Sequence, residues 1–281
     1  MKSCFFKIFL CIAALFTGIS VEAKTLNFAV ASDIHYTKEN AGQKSIGEKA
    51  LNGFIDRVNE NNYDFVIFLG DNIDKSNQES LTNFLKIAKK VKTPYYLVMG
   101  NHDVHKISGL DKKEYIKIVS KQNKYQRNKK ASYYFYPKSD VIVIVLDGVS
   151  SGLPSNHGVF TQKTLKWLDE TLTQNENKAA IIFQHVPLIE PYPDRTHNIL
   201  EQEDYKATIH RHKNVVMVCS GHYHASHKYG YKKDEKNVHH VSVPALFKEP
   251  YNYSDITVDY KHKMFSKPSD FKIDVQQKPA I

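Results

Sequence analysis

Two packed sheets with helices outside, an α/β fold, is what this sequence predicts, on three observations. Strand-like apolar runs alternate with amphipathic helical patterns through the first half of the 281 residues. Strand-like runs succeed one another in the last third. No internal repeat, low-complexity block or Pro/Gly-rich linker divides the chain. A chain of this length can bury the core of one large domain, so a leader over residues 1–23 and a single domain over residues 24–281 are expected.

The elements follow in order. Leu26 to Ala31 reads as a buried strand running into Asp33, and Leu51, Phe54, Ile55 and Val58 then fall at helical spacing. Asp64 to Leu69 is a second strand that stops at Gly70, completing a β-α-β start. Ser80 is placed to cap a helix whose apolar face is Leu81, Phe84, Leu85 and Ala88, and the strand Tyr95 to Met99 leads into Gly100. The polar stretch from Val104 to Lys130 reads as partly helical. Tyr133 to Tyr136 and Val141 to Leu146 are neighbouring strands joined by a Pro137-Lys138-Ser139-Asp140 turn. Thr161 or Gln162 opens a helix carrying Leu165, Trp167, Leu168 and Leu172, and strands at Ala179 to Phe183 and Val215 to Cys219 follow. Runs at Val238 to Val243, Ile256 to Tyr260 and Phe271 to Val275 are expected to complete the second sheet.

Met1-Lys2 gives a positive start, Cys4 to Ile19 is almost wholly apolar, and Val21-Glu22-Ala23 has the spacing a signal peptidase reads. A periplasmic or secreted location is therefore expected, with no membrane span after cleavage, since no later run is long and apolar enough. Cleavage would remove Cys4 and Cys11, leaving Cys219 in an apolar run, where burial makes it inert. The formal charge of +9 becomes +8 without the leader and favours anionic partners. The lysines are scattered rather than gathered on one face, so specific nucleic-acid binding is not expected.

Five short clusters carry the chemistry: Asp33-Ile34-His35, Gly70-Asp71-Asn72-Ile73-Asp74, Gly100-Asn101-His102-Asp103, Gln184-His185 and Gly221-His222-Tyr223-His224. Each follows an apolar strand-like run, so a sheet can deliver all of them to one edge. Any one alone is more often a turn or an exposed strand end. Together they supply Asp, Asn and imidazole donors suited to manganese, iron or zinc, and the lack of cysteine argues against a structural thiolate site. In extended backbone the pairs Asp33/His35 and His222/His224 point to one side.

In this order the clusters resemble the calcineurin-like metallophosphoesterase superfamily, with all five blocks matched between residues 33 and 224. The resemblance implies a four-layer sandwich, two mixed β-sheets packed face to face and flanked by helices. It implies two divalent or trivalent metal ions, one held by Asp33, His35 and His224 and the other by Asn101, His185 and His222, with Asp71 bridging them. Such a pair polarises a phosphoryl group and makes hydroxide from bound water near neutral pH. His102 is then the residue that protonates the leaving oxygen or binds the phosphoryl group, with Asp74 orienting it, and Asp103 is a supporting residue.

The implied activity is a phosphohydrolase acting on small anionic phosphodiesters or phosphomonoesters, most similar to the cyclic-nucleotide phosphodiesterase-like branch. Asp74 stands where purple acid phosphatases carry tyrosine, and Lys75-Ser76 stands where calcineurin-type protein phosphatases carry Arg-Gly, so both branches are disfavoured. A non-catalytic metal- or partner-binding protein on the same scaffold is the alternative, and it predicts eroded ligands. Substrate choice is expected to lie in stretches 104–130, 148–160 and 186–200, with His105 and His157 as candidate pocket residues.

Overall fold

The computed structural model describes residues 23–37, 46–105, 107–128, 130–150, 155–193, 196–225, 230–261 and 268–281. Residues 1–22 of the expected leader and parts of the three expected specificity stretches lie outside the described residues.

Strand β1 (Ala23–Ala31) starts partly exposed at Lys24, Thr25 and Asn27 and is buried on both faces from Phe28 onward, where its sequence is continuously apolar. Its Leu26, Phe28 and Val30 face one core and Ala29 and Ala31 the other. It pairs in parallel with β2 (Phe65–Leu69), which pairs in parallel with β3 (Tyr95–Val98). Two helices make the crossovers, α1 (Ile46–Asn59), burying Leu51, Phe54, Ile55 and Val58, and α2 (Gln78–Ala88), burying Leu81, Phe84, Leu85 and Ala88. The cap of α2 is Asn77 rather than Ser80. The Asn77 side chain accepts the Ser80 N–H at 2.8 Å, so the helix starts nearly a turn earlier than its apolar face suggests. Within the polar stretch after β3, α3 (Lys112–Gln122) opens on a reciprocal Asp111/Glu114 cap.

The second sheet runs β4-β5-β6-β7-β9-β8, from β4 (Tyr133–Lys138), β5 (Val141–Val145), β6 (Ala179–Phe183), β7 (Val215–Ser220), β8 (Tyr231–Lys233) and β9 (His239–Ser242). Pro137 lies inside β4 rather than in a turn. The strand is at the sheet's edge and its register shifts between Phe135 and Lys138, a place where a missing N–H costs little. Helices α4 (Gln162–Gln174) and α5 (Gln202–His210) cover the outer face.

The chain's last two strands do not complete this second sheet as expected. Strand β10 (Asn252–Lys261) pairs antiparallel with β1, and β11 (Phe271–Pro279) pairs with β10, giving the first sheet the order β11-β10-β1-β2-β3. The reason is the otherwise unpaired edge of a strand buried on both faces: β1 needs hydrogen-bond partners on each side. Only β9 of the three tail runs joins the second sheet.

The sheets meet face to face through a shared apolar layer that also shields Cys219, whose thiol burial pushes up. Phe28 stacks on Phe65 at 4.8 Å, and both meet Phe183 of the opposite sheet edge-on at 5.7 and 6.1 Å. Each such buried ring contributes roughly 1.5–3 kcal/mol. Helices on both outer faces complete four layers. The shared layer matters for function because it holds the carboxyl ends of β1, β2 and β3 against those of β6 and β7.

Candidate metal centre

All five clusters fall in the loops that follow these strands, the edge where open α/β sheets place their sites. Asp33 and His35 leave β1, Asp71 and Asp74 leave β2, Asn101 and His102 leave β3, His185 leaves β6, and His222 and His224 leave β7. Backbone bonds register the first two loops, with Asp33 N–H donating to Gly70 O (3.1 Å) and His35 N–H to Asp71 O (2.9 Å). Gly221 N–H donates to His185 O (2.9 Å) in the other sheet.

The loops are strained where donors are presented. Asp33, His35, Asp71, His222 and His224 all have φ between 47° and 69°, and they are five of the seven non-glycine residues with positive φ among the described residues. Each costs about 1–3 kcal/mol and persists only where the surroundings hold it. Two glycines let the sheets approach. Gly70, at φ 91°, lies where a Cβ would overlap the His185 ring, and a Cβ on Gly221 would overlap Ser32 Oγ.

The side chains gather into overlapping groups. Asp33, His35 and His224 have one donor atom each within 4.8 Å of one another, and so do Asp71, His185 and His222. A third group, His35, Asp71 and His102, joins them. Asp33 is fully buried, with Oδ2 accepting from Ser32 Oγ (2.5 Å) and His222 N–H (3.0 Å), while Oδ1 lies 3.1 Å from His224 Nε2. Asp71 Oδ1 accepts the His102 N–H at 2.8 Å, and Oδ2 lies 3.2 Å from His185 Nε2 and 3.8 Å from His35 Nε2.

Outer hydrogen bonds decide which ring nitrogen faces inward. His185 Nδ1–H donates to Leu69 O (2.9 Å), His222 Nε2–H to Asn156 O (2.8 Å), and His35 Nδ1–H to Asp74 Oδ1 (3.2 Å). His35 Nε2, His185 Nε2 and Asn101 Oδ1 are buried with no hydrogen-bond partner. With Nδ1 of His35 and His185 engaged outward, each Nε2 turns toward the carboxylates, where a cation can replace any proton it carries, so this donor set of carboxylate, imidazole and amide oxygen fits metal.

The electrostatics agree. Burial works against both carboxylates, yet the histidines around them win: His224 and His185 lower Asp33, and His185 holds Asp71 far below the usual range. Burial also opposes charge on His185, but the Asp71 carboxylate raises that imidazolium to about 10. His222 moves the other way, to about 4, through burial and the neighbouring His185.

One expectation needs correction. The Asp74 carboxylate does not orient His102, because the Tyr36–Ile73 bridge sets it beside His35 instead. The main-chain carbonyl of Asp74 does that work, accepting from His102 Nδ1–H at 3.1 Å. Asp103 is the supporting residue that the sequence suggests, fully buried and accepting from Gly100 N–H (2.9 Å), Ile73 N–H (3.1 Å) and Asn72 Nδ2 (2.9 Å). Its pKa rises to about 7, through burial and the Asp71 charge.

Sequence reasoning passed over Ser32, Asn72 and Phe247, the last packing its ring on His35 (4.7 Å) and His224 (5.4 Å). Ser32 and Asn72 adjoin ligand-type residues and were findable on that ground. Phe247 and the carbonyls of Leu69 and Asn156 left no local signal. His105 lines a cavity beside His102, whereas His157 is turned to Asn198 Oδ1 (2.8 Å).

Comparison with known proteins agrees with this arrangement. A probable cyclic nucleotide phosphodiesterase of Moraxella catarrhalis is 28% identical over 72% of this chain and 73% of its own. A manganese-dependent ADP-ribose/CDP-alcohol diphosphatase of Bos taurus is 23% identical over 79% and 84% respectively. In structure, a dimetal phosphatase from Danio rerio shares the fold at a TM-score of 0.67 and 15% identity, over 88% of this chain and 98% of that one. The family description of the calcineurin-like phosphoesterases matches residues 26–226, and with the fold and the donor clusters on the same strand ends, the chain belongs to that family and is a metal-dependent phosphoesterase.

Proposed function

We propose that the protein is a secreted or periplasmic phosphohydrolase with two metal ions, cleaving small phosphodiesters or phosphomonoesters. Asp33, His35 and His224 would hold one ion and Asn101, His185 and His222 the other, with Asp71 the carboxylate shared between them. The observation that carries this reading is the set of buried, partnerless donor atoms on His35, His185 and Asn101, the two histidines falling in groups that share Asp71. When bound, the ions polarise the phosphoryl group and supply hydroxide near neutral pH. Manganese is the first metal to test, since the donor set suits it and similar diphosphatases are named manganese-dependent. The leader-type residues 1–23 support export.

The chain's own groups do the rest. Asp33 and Asp71 stay ionised and give the centre its negative charge. His102 is exposed, its Nδ1–H fixed on Asp74 O, so Nε2 is the nitrogen that faces incoming substrate and holds or delivers a proton at the leaving oxygen. The test is hydrolysis of bis-p-nitrophenyl phosphate and p-nitrophenyl phosphate with added manganese, iron or zinc, alongside metal analysis. Turnover of at least one ester with two equivalents of metal is expected. Tight metal without hydrolysis of either ester would return the reading to a binding protein.

A further inference from the structure

His222 is buried, and the outer bond that fixes its ring is supplied from outside the five clusters and the strands that carry them. The partners of His185 and His35, Leu69 O and the Asp74 carboxylate, belong to β2 and the loop directly after it. Asn156 lies instead in the long connection between β5 and α4, and it is exposed. A carbonyl at an exposed loop residue is readily solvated, so holding it 2.8 Å from a buried imidazole needs neighbours that fix the backbone.

Those neighbours form a clasp between residues 155–160 and 197–201. Gly158 N–H donates to Asn198 O (3.0 Å) and Leu200 N–H to Gly158 O (3.0 Å), a parallel bridge between Gly158 and Ile199. Phe160 N–H donates to Glu201 Oε2 (2.9 Å). Next to Asn156 itself, two side chains close the clasp, with His157 Nδ1–H donating to Asn198 Oδ1 at 2.8 Å. The clasp seats on the metal centre at two further points. A Cβ on Gly158 would lie 3.0 Å from Val186 Cβ, next in the chain to His185, and the His197 ring lies 5.1 Å from that of His222. The residues assigned to the other ion are held by different partners: Asp33 by Ser32, His35 by Asp74, and His224 against Phe247.

Resting on the two-metal reading, we infer that His157 and Asn198 are positioning residues for the ion assigned to Asn101, His185 and His222, their bond holding Asn156 O on His222 Nε2–H so that the Nδ1 lone pair is left for metal. A neutral imidazole carries one proton. A ring freed from the carbonyl can carry it on either nitrogen, and the form with Nδ1–H cannot bind metal through that atom. The two ions therefore differ in what sustains them, and loosening the clasp empties one position before the other.

The test titrates manganese into the metal-free wild type and into His157→Ala, Asn198→Ala and Asn198→Asp, with free manganese followed by electron paramagnetic resonance. Both side chains are half-buried, so truncation should leave the metal-free fold intact, which circular dichroism checks. Wild type should bind two equivalents. In each alanine variant one equivalent should keep its wild-type Kd while the other weakens about tenfold, the lower end of what loss of a ligand's outer hydrogen bond costs. Asn198→Asp, which keeps an acceptor for His157 Nδ1–H, should bind both equivalents as wild type does. Turnover of the better-hydrolysed p-nitrophenyl ester should fall in the alanine variants at limiting manganese and recover to within about twofold of wild-type kcat as manganese is raised. Equal weakening of both equivalents, unchanged binding in the alanine variants, or an Asn198→Asp variant as weak as Asn198→Ala would overturn the inference and leave the phosphohydrolase reading standing. A wild type that takes up fewer than two equivalents would remove the two-metal reading and the inference with it.

Discussion

Asp71 is the residue on which the centre turns, since among the described residues it is the only carboxylate found in two of the donor groups. Asp71→Asn keeps the shape but removes the shared charge, and metal content measured on the purified variant should fall together with kcat/KM. His102→Ala should separate the two, keeping metal while kcat falls by about 10²–10⁴ as for loss of a general acid. Retained turnover in that variant would displace His102 from its role. A subtler expectation concerns the proton on His185, which at neutral pH the Asp71 carboxylate keeps in place up to about pH 10. A metal ligand must be deprotonated, so loading metal at pH 7.5 should release protons. Calorimetry in buffers of different ionisation enthalpy would read that release, and buffer-independent heats would refute it. The identities of these residues were legible from the sequence because the family pattern is dense in donor atoms. The partner of Asp74 was not, because sequence spacing gives no hint that a carbonyl, rather than a carboxylate, meets His102.

At the scale of elements, β1, β2, β3, β6 and β7 were legible as apolar runs ending in polar clusters, and α1, α2 and α4 by their spacing. The destination of β10 and β11 was not legible, because alternation in Ile256 to Tyr260 says that a strand has one buried face but not which free edge it covers. Helix α5 escaped because its buried residues are few, Tyr205, Thr208 and Ile209, and its apolar pattern is correspondingly weak. The Asp103 network links the loops after β2 and β3, so Asp103→Ala should leave the Gly100 and Ile73 N–H groups unpaired, while Asn72 Nδ2 keeps Val98 O. Each such loss costs about 1–3 kcal/mol. Chemical denaturation should show that loss, with weakened metal binding although Asp103 is placed outside the proposed ligand set. A variant as stable as wild type would mean that water replaces the carboxylate.

For the molecule as a whole, two features set how stability responds to conditions. Away from the metal centre, Asp234 is held below its ordinary value: burial opposes this, but hydrogen bonds from His240 and His210 and the N–H groups of Val238 and Lys236 overcome it. His210 is on α5 and His240 on β9, so this carboxylate joins a helix to the sheet it covers. A depressed carboxylate contributes its stability above the unfolded value near 4 and loses it as pH falls further. Asp234→Asn should therefore melt lower than wild type at pH 6 and approach it below pH 3. A difference in melting that ignores pH would exclude that linkage. Metal should act more broadly: at a hundredfold excess over Kd it adds about 2.7 kcal/mol, worth several degrees in melting temperature, which a chelator should abolish.

The donors are split between the two sheets, with Asp33, His35, Asp71 and Asn101 on one and His185, His222 and His224 on the other. Neither half is a complete coordination sphere. Tight cation capture must then await docking of the sheets, which makes metal uptake a clock for the last stage of folding: in stopped-flow refolding it should trail secondary structure and coincide with closure of the Phe28, Phe65 and Phe183 layer.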